Sequence, residues 1–278
     1  MKYRLFILAA AALFSTGGAA IKATTFTNWQ VAAFRSGIAT LAILAFIPTA
    51  RHVGDRRIWL TGIAYAVTLI AFVTATKLTT AANAIFLEDS APLFLVLAGP
   101  WLLKEKVKAH DLAILAIMGC GLALFFAGAQ PGSRTAPEPM RGNLIGLVSG
   151  AGWAATIAGL RILESRPHGQ SPGLAMVAVG NTIACLVCLP FAFPVGQART
   201  SDWLVVAYLG LIQIGLAYVL LTRAMRHVPA LEASIFLLIE PVLNPLWAAL
   251  IHDEWPHPYA VLGGGLILAA TVLRLFRR

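Results

Sequence analysis

Charged residues are scarce in this chain. They make up 12% of 278 residues, with 12 Asp and Glu against 21 Lys and Arg. An ordinary soluble domain is about a quarter charged, so this sequence cannot build a water-facing surface of the usual kind. Cysteine is rarer still, at three. Cys185 and Cys188 form a C-x-x-C inside an apolar run with no second ligand pair, which fits small packing residues rather than a zinc site. No G-x-x-x-x-G-K-[ST], H-E-x-x-H or G-x-S-x-G occurs, which removes the usual signatures of ATP use, zinc proteolysis and serine hydrolysis. No cofactor motif is found, and no repeated filter sequence speaks for a channel.

What is present is apolar: 59% hydrophobic residues and a mean hydropathy of +0.79. A bilayer core about 30 Å thick needs roughly 20 such residues per helix. The chain divides into ten runs, near 4–22, 29–50, 58–76, 80–103, 110–128, 143–163, 173–195, 202–224, 230–251 and 258–275. The run from Leu5 to Ile21 is long for the apolar part of a signal peptide, so it reads as an uncleaved first helix. With the N-terminus inside, fifteen Lys and Arg fall in cytoplasmic segments and five outside, leaving Arg35 within the membrane. That bias supports ten spans with both ends cytoplasmic. The formal charge of +9 is spread over loops, so nucleic acid is not an expected partner.

A constant offset of 149 lays residues 84–106 on 233–255, matching Ala84 with Ala233, Pro92 with Pro241, Leu97 with Leu246 and Glu105 with Glu254. Five spans per copy is odd, so the second copy enters from the opposite side. The expected fold is an all-α integral membrane protein with ten transmembrane helices in two inverted five-helix repeats: 1–128, an external Pro-rich linker at 129–142, and 143–278.

Charge near the midplane costs roughly 2.5–3.5 kcal/mol on insertion scales and usually faces a partner or a wet cavity. Glu88, Asp89 and Glu240 all lie there by residue count, and Arg35 sits in the outer leaflet. Two readings are open for Arg35 with Glu88 or Asp89: an ion pair that fastens helices, with Arg35 also able to snorkel outward, or a wall of a transport cavity. Glu88 and Asp89 point about 100° apart on a helix, so one can serve each purpose.

Helical spacing gathers Phe236, Glu240, Asn244 and Trp247 on one face of the ninth run. It does the same for Thr61, Tyr65, Thr68, Phe72 and Thr76 in the third, and for Ser149, Trp153 and Thr156 in the sixth. Such faces suit a solute with an ammonium group and an apolar body; polar packing between helices is the alternative. Pro92 and Pro241 each free backbone at mid-membrane depth, and paired interrupted helices mark binding sites in inverted-repeat transporters. Gly142, Gly146 and Gly150 form a packing stripe. His252, Asp253, Glu254 and His257 lie in a proline-flanked turn, which reads as a turn and not as a metal site.

The two halves, each with a proline in its fourth helix and a Glu just after it (Pro92 with LLKE at 102–105; Pro241 with IHDE at 251–254), resemble the EamA type of the drug/metabolite transporter superfamily. The run FLEDSAPLFLVLAGPWLL is most similar to amino-acid and metabolite exporters of that family. The resemblance implies two inverted halves around a central cavity, cytoplasmic termini, a place in the bacterial inner membrane and export of small metabolites, amino acids foremost. The expected partners are a small-molecule substrate and the lipid bilayer, with the proton as one candidate coupling ion. Nucleobases, other amines and drug-like cations are the competing solutes.

Overall fold

The computed structural model describes residues 1–102, 109–129, 131–164, 172–225, 227–228 and 230–276. Glu105, and with it one half of the Glu105/Glu254 correspondence, lies outside the described residues. Among those described there is no strand. The helices are α1 (Lys2–Ser15), α2 (Gly17–Ala23), α3 (Asn28–Phe46), α4 (Arg56–Leu78), α5 (Ala81–Glu88), α6 (Ala91–Leu102), α7 (Ala109–Ala127), α8 (Pro139–Glu164), α9 (Pro172–Cys188), α10 (Thr200–Tyr208), α11 (Ala217–Met225), α12 (Ala230–Leu237), α13 (Ile239–His252) and α14 (Pro258–Phe276). A π-helical stretch, Leu209–Leu216, joins α10 to α11. By length and composition, seven stretches among the described residues can cross a membrane.

Local chemistry sets the helix ends. α3 starts in a capping box, with Thr27 Oγ1 accepting from Gln30 N and Gln30 Oε1 from Thr27 N. It stops at Phe46, ahead of Pro48, short of the expected residue 50. Asp55 and Thr80 cap α4 and α5 through Arg57 N and Asn83 N. Pro92 has no N–H for the Glu88 carbonyl four residues back, and the helix is interrupted at Asp89 and Ser90. Pro241 stands in the same relation to Leu237, and α12 gives way to α13 at Leu238. A third break, at Thr16, has no proline; the Thr16 hydroxyl donates back to Leu13 O at 2.7 Å.

α4 packs along α8 and α9, α9 also lies on α3, α1 on α11 and α13, and α7 on α14. Small residues permit the closest approaches. A Cβ at Gly150 would stand 2.5 Å from Leu87 O, so only glycine lets α8 lie this tightly on α5.

One end of the bundle is sealed by polar contacts. Lys22 Nζ lies 2.8 Å from Glu254 Oε2, with both side chains buried, and donates to Thr79 O at 2.8 Å and to Thr135 O. Glu254 Oε1 accepts from Ala81 N, at the start of α5, at 2.6 Å. Asp253 makes this possible: its left-handed backbone (φ 55°) turns the chain after α13, with its N–H on Ala249 O and that of Glu254 on Ala248 O. Nearby, Lys77 Nζ donates to Thr24 O at 2.7 Å, and Asp202 accepts from both Thr25 N and Thr25 Oγ1.

Candidate functional site

The breaks converge on one place. A cavity of about 170 Å³ is lined by Glu88 and Asp89 at the end of α5, by Leu237, Leu238 and Glu240 around the α12–α13 break, and by Gln213 and Ile214 of the π-helical stretch. Phe14, Arg35, Tyr65, Thr68, Leu69, Phe72, Trp153, Tyr218 and Leu221 complete it. Interrupted helices suit such a wall, because backbone polar groups released at membrane depth are tolerated only where they face a cavity or a protein partner.

Arg35 is 2% exposed and does not snorkel. Its Nη2 donates to Leu69 O at 3.3 Å, and its Nε–H has no partner. No carboxylate of the described residues lies at ion-pair distance, so the pair with Glu88 or Asp89, one of the two readings open from the sequence, is not formed in this structure; the α4 carbonyl takes its place. Glu88 is held from the other side, where Ser149 Oγ donates to Glu88 Oε2. Asp89 Oδ2 and Gln213 Oε1 are buried and unpartnered. Among the described residues the cavity thus holds three carboxyl groups, one guanidinium and one amide, with an unused donor on Arg35 and unused acceptors on Asp89 and Gln213.

Aromatic rings surround these groups. Tyr218 meets Phe14 and Tyr65 edge-on, at centroid distances of 5.0 and 5.7 Å, and Trp153 lies 6.5 Å from Tyr65. A cation entering here meets acid oxygens and π faces together, and a carboxylate meets the Arg35 N–H.

Of the residues singled out by sequence, the cavity brings together Glu88, Asp89, Glu240, Tyr65, Thr68, Phe72, Trp153 and Arg35. It does not include Phe236, Asn244 or Trp247. The break at Leu238 lies between Phe236 and Glu240, so the regular spacing that put both on one face is not kept. Phe236 packs against the cluster of Ile7, Ala224, Val228 and Ala233. Asn244 is fully buried against Gly18 with both amide atoms unpartnered, and Trp247 Nε1 donates to Ser15 Oγ at 3.0 Å. Both therefore face the α1–α2 break. Trp247 also borders a second pocket of about 270 Å³, with Thr16 and Tyr208. Pro92 and Pro241 act through the breaks beside the cavity. Thr76 bonds back to its own helix and Thr61 packs on Gly159, so those members of the third-run stripe serve packing. His252 Nε2 meets Ala19 O at 2.8 Å and Glu254 turns to Lys22, so the His-Asp-Glu turn is spent on closing the bundle.

Sequence reasoning passed over Gln213 and Tyr218. The signal for Gln213 was available: a lone amide in the apolar run LGLIQIGL.

The profile of the EamA-like transporter family matches residues 1–127 and 140–276. The chain belongs to the EamA-like transporter family. Its similar relatives include an uncharacterized transporter of Archaeoglobus fulgidus, 27% identical over 235 residues and covering 84% of this chain and 81% of that protein. The uncharacterized transporter YetK of Bacillus subtilis is 26% identical over 194 residues, covering 66% of this chain and 57% of YetK. The match thus spans little more than half of YetK's length. A solved crystal structure superposes with a TM-score of 0.63 at 22% identity, over 99% of this chain and 98% of its own, a likeness of fold alone. As an EamA-like protein with apolar helices long enough to cross a bilayer, the chain is a multi-pass membrane protein, and the cavity lies among its helices.

Proposed function

We propose that this EamA-like transporter exports small solutes that carry an ammonium group on a partly apolar body, amino acids foremost, across the bacterial inner membrane by alternating access. The observation that carries the reading is the cavity itself: Arg35, Glu88, Asp89 and Glu240 share one enclosure with aromatic walls, and the Arg35 Nε–H and Asp89 Oδ2 have no protein partner. Buried polar groups are nearly always paired, so a donor and an acceptor left unused in one cavity suit a zwitterion that supplies both. The acids take the ammonium, Arg35 takes the carboxylate, and Phe14, Tyr65, Trp153 and Tyr218 hold the apolar body. We read the run around Glu88 as resembling that of the aromatic amino-acid exporter YddG, a resemblance in line with the same substrate class.

Two inverted halves, 1–128 and 143–278 with an external linker at 129–142, account for the two stretches matched by the family profile and for the paired breaks beside Pro92 and Pro241. On the positive-inside bias, the Lys22–Glu254 end is the external one. A surplus of two carboxyl groups over the one guanidinium favours a second reading, simple amines and drug-like cations, and also leaves an acid free to carry a coupling proton. The two solute classes part at Arg35: Arg35→Gln abolishes amino-acid transport but spares amines if the solute needs no carboxylate contact.

The experiment is Glu240→Gln, assayed for exchange of labelled amino acids and amines in liposomes. The expected result is a large loss of transport with near-normal abundance and melting temperature. Normal exchange by a well-folded variant would remove Glu240 from the site.

A further inference from the structure

Gln213 is the one amide among the described cavity-lining residues and lies in the π-helical stretch between α10 and α11. π-helical turns are uncommon and recur at functional sites. The side chain is 7% exposed, and its Nε2 donates to the Phe14 carbonyl at 3.3 Å. That contact fixes which way the amide faces: the flipped arrangement would set oxygen against oxygen. Gly17, at the start of α2, leaves the room it needs, since a Cβ there would stand 2.8 Å from Gln213 Nε2. Oε1 is left buried with no donor from the protein. A tethered amide whose free end is a bare acceptor beside the cavity's acids is placed to accept a hydrogen bond from a solute.

We propose that Gln213 is a specificity-determining residue whose side-chain carbonyl accepts an N–H from the solute's ammonium group, so that the cavity selects primary ammonium over quaternary ammonium. The inference rests on the transport reading above and deepens it. The carboxylates attract either kind of cation through charge, and the aromatic rings favour quaternary groups as readily as primary ones. A directional acceptor separates them, because a trimethylated nitrogen has no N–H to give.

The test uses the full chain in nanodiscs and two probe pairs: phenylalanine with its N,N,N-trimethyl betaine, and phenethylamine with its N,N,N-trimethyl derivative. Binding is read by isothermal calorimetry for wild type, Gln213→Met and Gly17→Ala. A hydrogen bond to a charged group is worth about tenfold in affinity or more. Wild type is therefore expected to prefer the primary member by that factor. Gln213→Met should lose most of the preference by weakening binding of the primary member. Gly17→Ala, with Gln213 intact but pushed aside, should shrink the preference by an independent route, and it carries the test should Gln213→Met not fold. A wild-type protein that binds both members equally, or folded Gln213→Met and Gly17→Ala proteins that keep the full preference, would overturn the inference and leave the transport reading standing. Binding of no probe by wild type would overturn both.

Discussion

The Lys22–Glu254 pair offers a quantitative test of how the bundle is closed. The two charges are 2.8 Å apart with side-chain exposures of 4% and 5%, so neither is reached by much water. Lys22→Met leaves the Glu254 carboxylate buried with the Ala81 N–H as its remaining contact, and stranding a buried charge costs about 3–5 kcal/mol. Glu254→Gln is milder. Its amide oxygen can still accept from Ala81 N, and Lys22 keeps the Thr79 and Thr135 carbonyls, so the loss is that of one charged contact, about 1.5–3 kcal/mol. The double variant strands no charge and should fall short of the summed single losses by about 2–3 kcal/mol. Equilibrium unfolding of all four proteins in mixed micelles of fixed lipid content measures the cycle. Additive losses, or a Lys22→Met protein as stable as wild type, would refute the claim that this pair holds α2 to the end of α13.

Further expectations follow from the same geometry. Cysteine labelling from either side of the membrane should place 51–57 and the C-terminus in the cytoplasm and 129–142 outside; an internal 129–142 would rule out the inverted arrangement. Gly150→Val should destabilise the bundle by about 1–3 kcal/mol, the usual cost of overpacking, because its Cβ would meet Leu87 O at 2.5 Å. An unchanged melting temperature would show that α8 can move away from α5. Asp89→Asn combined with Arg35→Gln should not restore the transport lost in Arg35→Gln, since the two do not form an ion pair. Rescue by the double variant would reinstate the pair.

Much of the helix plan was legible because runs of apolar residues between charges and prolines leave little choice in a bilayer. The breaks near Pro92 and Pro241 were legible for the same reason, since a missing N–H acts locally. The division at Thr16 and the π-helical stretch at 209–216 were not: neither has a proline, and a shift in hydrogen-bond register leaves no mark on composition. The acids of the cavity stood out because a charge at membrane depth is costly. The face through Phe236, Glu240, Asn244 and Trp247 was drawn on an unbroken helix, and the break at Leu238 sends its members to different neighbours. The partnership of Lys22 with Glu254 was hidden because it joins opposite ends of the chain, and Lys22 by itself looks like a loop charge at a helix end.

Counterflow in liposomes containing only this protein tests the central claim most directly. Vesicles preloaded with an unlabelled amino acid should transiently accumulate labelled tracer from a panel of amino acids and amines, and Glu240→Gln vesicles should not. If wild-type vesicles accumulate none of the panel while protein recovered from them remains folded, the cavity is not a transport site for ammonium-bearing solutes.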